Sequence, residues 1–268
     1  MLNIKGLRKV FLRGSVEEIA ALDGIDLKVN PSEFITIIGS NGAGKSTLLN
    51  TIAGVYTPDA GQIILAGNDV TRLPEYKRAK YIGRVYQDPM MGTASMMTIE
   101  ENLSMAFLRG KGRGLGRGVT HELREQFHRA LAPLGLGLED RLKSNVGILS
   151  GGQRQALSII MATISNPMIL LLDEHAASLD PKTGRRILEL TEMVVQREKL
   201  TTLMVTHNME HALKYGNRLI MMDSGRIILD LNGEQKSSLS VSDLVERFEQ
   251  ARGERFADDT MLLYHKEE

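Results

Sequence analysis

The chain predicts an α/β fold, a mainly parallel β-sheet with helices on both faces. Three observations carry that expectation. An apolar run, Phe34-Ile35-Thr36-Ile37-Ile38, leads through a glycine-rich loop into a helix-like segment, Leu48 to Ala53, that stops at Gly54. A second run, Met168-Ile169-Leu170-Leu171-Leu172, ends in the adjacent carboxylates Asp173 and Glu174. From Thr183 onward, helical and strand patterns alternate. Unbroken apolar runs of this length are the composition of strands buried on both faces, and β/α alternation is how such strands join a parallel sheet.

The elements follow in order. Leu2 and Ile4, and then Ile25, Leu27 and Val29 with Asp26 and Lys28 between them, alternate as two strands do. The polar stretch 13–18 separates them as a hairpin-like loop. Phe11, at the end of the first strand, is either packed core or a flat stacking surface. After the glycine loop, Ile63-Ile64-Leu65 with Ala66-Gly67-Asn68-Asp69 is another strand and turn. From about residue 90 to 164 the pattern becomes helical. One helix opens at Ile99 after Thr98, a suitable N-cap. Residues 109–118 alternate glycine with bases and predict a solvated loop, since each glycine costs a helix about 1 kcal/mol. His121 to Leu134 returns to helical spacing, and Ser150-Gly151-Gly152 opens a helix through Ile164. Then come helix Thr183–Glu198, strand Thr201–Val205, helix Met209–Tyr215, strand Arg218–Met222 and, past Asp223-Ser224-Gly225, strand Arg226–Leu229. Ser240-Val241-Ser242-Asp243 reads as a capping box for a terminal helix through Phe248, with a charged, loosely held tail from 251 to 268.

Composition excludes several classes. Apolar residues at 42% and charged residues at 25% are ordinary for a globular protein. Lys+Arg and Asp+Glu balance at 33 each, so no global basic field points to nucleic acid. The absence of cysteine rules out disulfides and thiolate metal sites and suits a reducing cytoplasm. No run approaches eighteen apolar residues, and the amino terminus lacks the apolar core of a secretory signal, so neither a membrane span nor export is expected.

The glycine loop carries the chemistry. Gly39-Ser40-Asn41-Gly42-Ala43-Gly44-Lys45-Ser46-Thr47 matches G-x-x-x-x-G-K-[ST] between a strand and a helix. Glycines let backbone N–H groups approach phosphate oxygens, and the helix start adds a positive dipole end. Lys45 would reach the β- and γ-phosphates and Ser46 would ligate Mg²⁺, so the chain is expected to bind a nucleoside triphosphate. Ligands gather at the carboxyl ends of parallel strands, which puts Asp173 with the metal and Glu174 with an attacking water. His207, ending a strand at the same rim, is either structural or a γ-phosphate contact. Gln87 could reach metal or water through its amide. Leu149-Ser150-Gly151-Gly152-Gln153 is a second anion-binding helix start. One triphosphate needs only one such loop, which suggests a dimer with ATP between subunits.

On these motifs the chain resembles the ATP-binding subunit of a bacterial ABC transporter, over residues 1–234. Phe11 stands as the A-loop aromatic, Gly39–Thr47 as Walker A, Gln87 as the Q-loop and Leu149–Gln153 as the signature. Ile169–Asp173 stands as Walker B with Glu174 after it, Ser178-Leu179-Asp180 as the D-loop and His207 as the H-loop. The resemblance implies a P-loop NTPase with a RecA-like parallel sheet, an antiparallel β subdomain and a helical ABC subdomain. It implies one ABC ATPase domain over 1–268: core 1–88 and 166–234, helical part 89–165 with Gln87 at its hinge, and a C-terminal helix and tail at 235–268. It further implies a head-to-tail dimer of two copies around two Mg-ATP. Gly39, Asn41, Gly42, Gly44, Lys45, Ser46 and Thr47 of one copy would meet Ser150, Gly151, Gly152 and Gln153 of the other. Asp180 would link the two sites, Phe11 would stack on adenine, and Ser46, Gln87 and Asp173 would hold the metal. Transmembrane permease subunits, and indirectly an extracytoplasmic substrate-binding protein, would be partners. The expected place is the cytoplasmic face of the membrane, where the loop at 109–118 could touch lipid headgroups or the permease.

Two departures stand out. His175 replaces the family's usual proline after the catalytic glutamate, and Ala176 lacks the common hydroxyl. His175 is either a packed, structural residue or a group titrating near neutrality. The DEH variant resembles a subgroup of importer ATPases paired with lipoprotein-type binding proteins, some for tryptophan or tyrosine. Uptake of a small solute, such as an amino acid in this subgroup, is therefore the first expectation. An exporter or a lipid- or lipoprotein-handling motor is the second, although Lys143-Ser144-Asn145-Val146-Gly147 lacks the acidic residue such exporters carry before the signature. A soluble, non-transport ABC ATPase is the third, opposed by the single cassette and the balanced charge.

Overall fold

The computed structural model describes residues 1–112 and 118–264, with 254–264 as backbone only. In chain order the strands and helices are β1 (Leu2–Phe11), β2 (Ile19–Val29), β3 (Phe34–Gly39), α1 (Lys45–Ala53), β4 (Ala60–Leu65), β5 (Asn68–Asp69), α2 (Glu75–Arg78), β6 (Ile82–Val85), α3 (Ile99–Phe107) and α4 (His121–Leu131). There follow α5 (Gly151–Thr163), β7 (Ile169–Asp173), α6 (Pro181–Glu198), β8 (Thr201–Val205), α7 (Met209–Lys214), β9 (Arg218–Asp223), β10 (Arg226–Leu231), α8 (Gly233–Ser237) and α9 (Val241–Tyr264). The chain divides into two compact units, Met1–Arg72 with Met204–Glu268, and Leu73–Leu203. The fold class is α/β with a mixed sheet, as the alternation of elements predicts.

In the first unit, β2-β1-β4-β5 form an antiparallel sheet. Leu2 pairs with Val29 and Ile4 with Leu27 on one side. On the other, Leu2 pairs with Leu65 and Ile4 with Ile63. The period-2 pattern thus brings the apolar residues of three strands onto one buried face. The same unit holds β10-β9-β3, with β3 parallel to β9 from Ile35 opposite Arg218 to Gly39 opposite Met222. Thr206 N donates to Ile37 O at 3.1 Å, so the chain leaving β8 runs beside β3. Ser224 (φ 44) and Gly225 (φ 77) make the two-residue turn between antiparallel β9 and β10. Ile38, Leu219, Met221 and Leu231 pack against Ala212 of α7 and Leu244 of α9. Each such buried side chain contributes roughly 1.5–3 kcal/mol.

In the second unit β6 runs parallel to β7, Ile82 opposite Ile169 through Val85 opposite Leu172. Ile169 to Leu172 are all 0% exposed, which is why this strand reads as one apolar run. The helices are tied by their termini. Thr98 and Glu101 form a complete capping box on α3, as its serine-like N-cap predicts. Arg124 of α4 grips Glu100 of α3 with Nε–Oε2 at 2.6 Å and Nη2–Oε1 at 3.0 Å, the two-point geometry that suits a guanidinium to a carboxylate.

The departures from the sequence reading are local. β6 was not expected, because Ile82-Gly83-Arg84-Val85 carries a glycine and a charge. A Cβ on Gly83 would lie 2.3 Å from the Ala162 carbonyl, so the missing side chain is what lets α5 lie against the strand. The terminal helix does not stop at Phe248 but continues to Tyr264, and its capping contact, Ser240 N to Asp243 Oδ2 at 2.8 Å, is present. A single interruption at Gly253 costs a helix too little to end it. α6 starts two residues early, with Asp180 as N-cap and Pro181 in the first turn. Within the glycine-and-base stretch, residues 113–117 lie outside the described residues. Among the described residues no helix is long and apolar enough to cross a membrane.

Candidate functional site

In the first unit, β3 ends at Gly39 and the chain turns through Ser40–Gly44 into α1. A Cβ at Gly39 would lie 2.1 Å from the Met222 carbonyl oxygen, and one at Gly44 2.3 Å from that of Ala21. Gly44 also holds φ 96, a left-handed conformation that glycine adopts without strain, and it opens α1 with no side-chain cap. The start of α1 thus carries no side-chain cap from Gly44, and a helix N-terminus is the end that favours negative charge. Lys45 is buried at 7% exposure, and its Nζ donates to Gly39 O at 2.8 Å and Ser40 O at 2.9 Å. The ammonium thus lies inside the loop's curve. Asn41, Gly42 and Ser46 are exposed and Thr47 is half-buried.

The loop has a floor that local sequence does not announce. Asp223, 5% exposed, accepts from Ser40 Oγ at 3.2 Å through Oδ1 and from Ser224 Oγ at 3.0 Å through Oδ2. Gly225 N donates to Ala43 O at 3.1 Å. The β9–β10 turn, some 180 residues downstream, therefore braces the phosphate loop. Its only sequence signal was a Asp-Ser-Gly turn.

Phe11 is half-buried and meets Tyr56 edge to face, ring centroids 5.2 Å apart at 81°. Tyr56 is there because α1 stops at Gly54 (φ 88), after which Val55 N still donates to Asn50 O at 2.9 Å. Lys9 Nζ lies 5.5 Å from the Phe11 ring centroid. The Val10 N–H, bonded to Asp59 Oδ2 at 2.7 Å, holds the Asp59 carboxyl below its usual range, helped by Lys9. The two rings stand nearly perpendicular, so Tyr56 braces the Phe11 ring without extending its face. Sequence reading found Phe11 and missed Tyr56. His207 is exposed and follows Thr206, whose N–H bonds to β3, so it leaves the sheet beside the strand that feeds the phosphate loop.

The second unit gathers the remaining residues. The parallel register of Val85 with Leu172 brings Gln87 and Asp173-Glu174 to the same strand ends. Gln87 is exposed, and its carbonyl accepts from Ser178 Oγ at 3.0 Å. Glu174 has φ 45, a left-handed conformation that is unfavourable for a side chain of this kind. Such strain recurs where a side chain must be aimed rather than merely packed. His175 is 1% exposed, with Nε2 2.9 Å from Thr191 Oγ1. The Thr191 hydroxyl donates to Ile187 O at 2.8 Å, so Nε2 of His175 carries the proton between them. The packed, structural reading of His175 is the one the fold bears out.

Ser150 and Gln153 form a capping box on α5, Gln153 N to Ser150 Oγ at 3.3 Å and Ser150 N to Gln153 Oε1 at 3.2 Å. A Cβ on Gly152 would lie 2.4 Å from Thr183 Cγ2, so part of the need for glycine is the close approach of α6. Asp180 caps α6, and the hydrogen bonds from Thr183 lower its carboxyl's pKa. Buried Gln155, which closes the stretch opened by Leu149 and has no role assigned from sequence, reaches two of these loops. A glutamine in a helix gives no local signal of that reach.

Comparison with known proteins follows the same lines. The family described as ABC transporter matches residues 22–177 of this chain. A tyrosine transport ATP-binding protein of Clostridioides difficile is 45% identical over 251 residues, 94% of this chain and 100% of that protein. The methionine import ATP-binding protein MetN of Rhizobium johnstonii is 38% identical over 213 residues, 78% of this chain and 56% of that protein. Among solved structures, a dimeric ATP-binding cassette in a post-hydrolysis state bound to ADP and Pi aligns with a TM-score of 0.73 at 28% identity, covering 87% of this chain and 99% of that one.

Proposed function

The chain belongs to the ABC transporter family as its ATP-binding, ATP-hydrolysing subunit, and from that premise we propose that it drives uptake of an amino acid through a separate permease. The observation that carries this reading is the 45% identity to a tyrosine transport ATP-binding protein over that protein's whole length. The import functions named for the other relatives support uptake over export. The subunit works at the cytoplasmic face of the membrane, held there by the permease, with an extracytoplasmic binding protein delivering the solute.

In this reading ATP lies on the phosphate loop. Backbone N–H groups from Gly39 to Thr47 and the Lys45 ammonium hold its phosphates, and Phe11, braced by Tyr56, stacks on adenine. The start of α1, which has no side-chain cap and is entered through Gly44 in a left-handed conformation, fits this group. The exposed Ser46 hydroxyl, the Gln87 amide oxygen and the Asp173 carboxylate are the hard oxygen donors that Mg²⁺ takes. When bound, the ion neutralises charge on the β- and γ-phosphates. Glu174 accepts a proton from water as the water oxygen bonds to the γ-phosphorus. The bond from that phosphorus to the bridging oxygen breaks, and ADP leaves with the electron pair. His207 donates to a γ-phosphate oxygen. Ser150, Gly151, Gly152 and Gln153 of a second copy close over the same γ-phosphate, and Asp180 links the two sites.

The test is reconstitution. The chain is purified from membranes of its native host with whatever permease stays attached, and placed in liposomes with the matching binding protein. Labelled tyrosine is expected to move toward the side bearing this chain, only with Mg-ATP, and to accelerate hydrolysis. Hydrolysis indifferent to every amino acid tried, or movement the other way, would remove the uptake reading.

A further inference from the structure

Gln155 lies early in α5, five residues past the Ser150 cap, and is 0% exposed. Its Nε2 donates to Tyr86 O at 3.1 Å and to His175 O at 2.6 Å. These are the carbonyls of the residue before Gln87 and the residue after Glu174. Both amide hydrogens are used, and Oε1 finds no donor among the described residues. Rotating the amide by half a turn would set Oε1 against two carbonyl oxygens, so the acceptors fix its orientation. An apolar side chain of like size would relieve that oxygen but leave the Tyr86 and His175 carbonyls without this donor, so what the amide supplies is the link between them.

What the amide does is join two loops. Glu174 stands in a left-handed conformation outside both strand and helix, so its aim depends on its neighbours. On its far side His175 is held twice, by Gln155 at its carbonyl and by Thr191 at its ring. The Gln87 loop is held twice as well, by Gln155 at Tyr86 O and by Ser178 at Gln87 O. Ser178 belongs to the loop after Glu174 and so links the two loops directly, whereas Gln155 links them from outside both, standing on the helix that Ser150 opens.

We propose that Gln155 is a positioning residue for hydrolysis, its single side-chain amide locking the peptide after Glu174 to the peptide before Gln87. The inference rests on the reading of Glu174 as the residue that takes the water's proton. A reacting group displaced by about 1 Å loses on the order of a hundredfold in rate, so slack in this link is read in kcat. Binding of ATP by the phosphate loop does not depend on it.

The experiment measures steady-state Mg-ATP hydrolysis by the full chain, with Gln155→Leu, Gln155→Glu and Glu174→Gln beside wild type. Gln155→Leu is expected to lower kcat about ten- to hundredfold with KM for ATP within about twofold of wild type. In Gln155→Glu only the protonated acid can donate to a carbonyl. Its kcat relative to wild type should therefore rise as pH falls from about 8 to about 6. Wild-type kcat in Gln155→Leu would overturn the proposal. So would a pH-independent ratio in Gln155→Glu, which remains decisive even if the leucine variant does not fold. Full activity in Glu174→Gln would instead sink the reading beneath it, whereas an inactive Glu174→Gln with an active Gln155→Leu would sink the positioning role alone.

Discussion

At the scale of single residues, the two glycine-rich stretches need their glycines for different reasons. Gly39 and Gly44 face backbone carbonyls at 2.1 and 2.3 Å, which cannot retreat without dismantling β9 or β2. Gly152 faces only Thr183 Cγ2 at 2.4 Å, the end of a side chain. Gly152→Ala is therefore expected to destabilise the chain by about 1–3 kcal/mol through overpacking. Adding Thr183→Ser, which removes that methyl and keeps the backbone donor to Asp180, should recover most of the loss in thermal unfolding. A double variant no more stable than the single would show that packing against α6 is not why the position is glycine. The same scale explains what was legible. Lys45, Ser46, Asp173 and Glu174 are recognisable because phosphate and metal chemistry demands those types next to those strands. Tyr56 and Asp223 are ordinary residues in their local sequence and acquire neighbours only on folding.

At the scale of elements, the long apolar runs were the most legible, because a strand buried on both faces has no polar positions to confuse its pattern. β3, β7 and β8 begin and end within a residue of expectation. β6 was hidden by Gly83, which the packing of α5 requires and local propensity disfavours. The short β4–β5 hairpin carries a testable charge. Asp69 accepts from Thr71 Oγ1 at 2.5 Å, Thr71 N at 2.9 Å and Gln62 Nε2 at 2.7 Å. These bonds, those from Thr71 first, lower its pKa from 3.8 to about 2. A depressed carboxyl stabilises the folded chain above its unfolded pKa, and that contribution is lost as pH falls through the folded value. The expected window is thus pH 3.8 down to about 2. NMR titration should place the Asp69 midpoint near 2, and Asp69→Asn should flatten the loss of stability across that window. A midpoint at 3.8 would show that the turn does not hold the carboxylate.

At the scale of the whole molecule, the two helix starts proposed to bind phosphate, α1 and α5, stand in separate compact units of one chain. If each completes a site with the other unit of a second copy, defects in the two should complement. Lys45→Ala and Ser150→Ala chains, each expected to hydrolyse ATP at a small fraction of the wild-type rate alone, should regain activity when mixed. A mixed dimer then contains one site with both defects and one with neither. Mixtures no more active than their components would mean that the signature does not act on a partner's nucleotide.

Sequence alone determined the class of fold and supplied the proposal for the chemistry at the strand ends, since both rest on short-range rules: apolar runs, glycine spacing, and the residue types that phosphate and magnesium require. Only the tertiary structure decided what holds those groups in place. Asp223 and Gly225 under the phosphate loop, Tyr56 against Phe11, and Gln155 between Tyr86 and His175 bridge separations of 20 to 183 residues. A side-chain donor inside a helix or turn has the same local pattern whether it meets water or a carbonyl. Its partner exists only once the chain has brought distant backbone within about 3 Å.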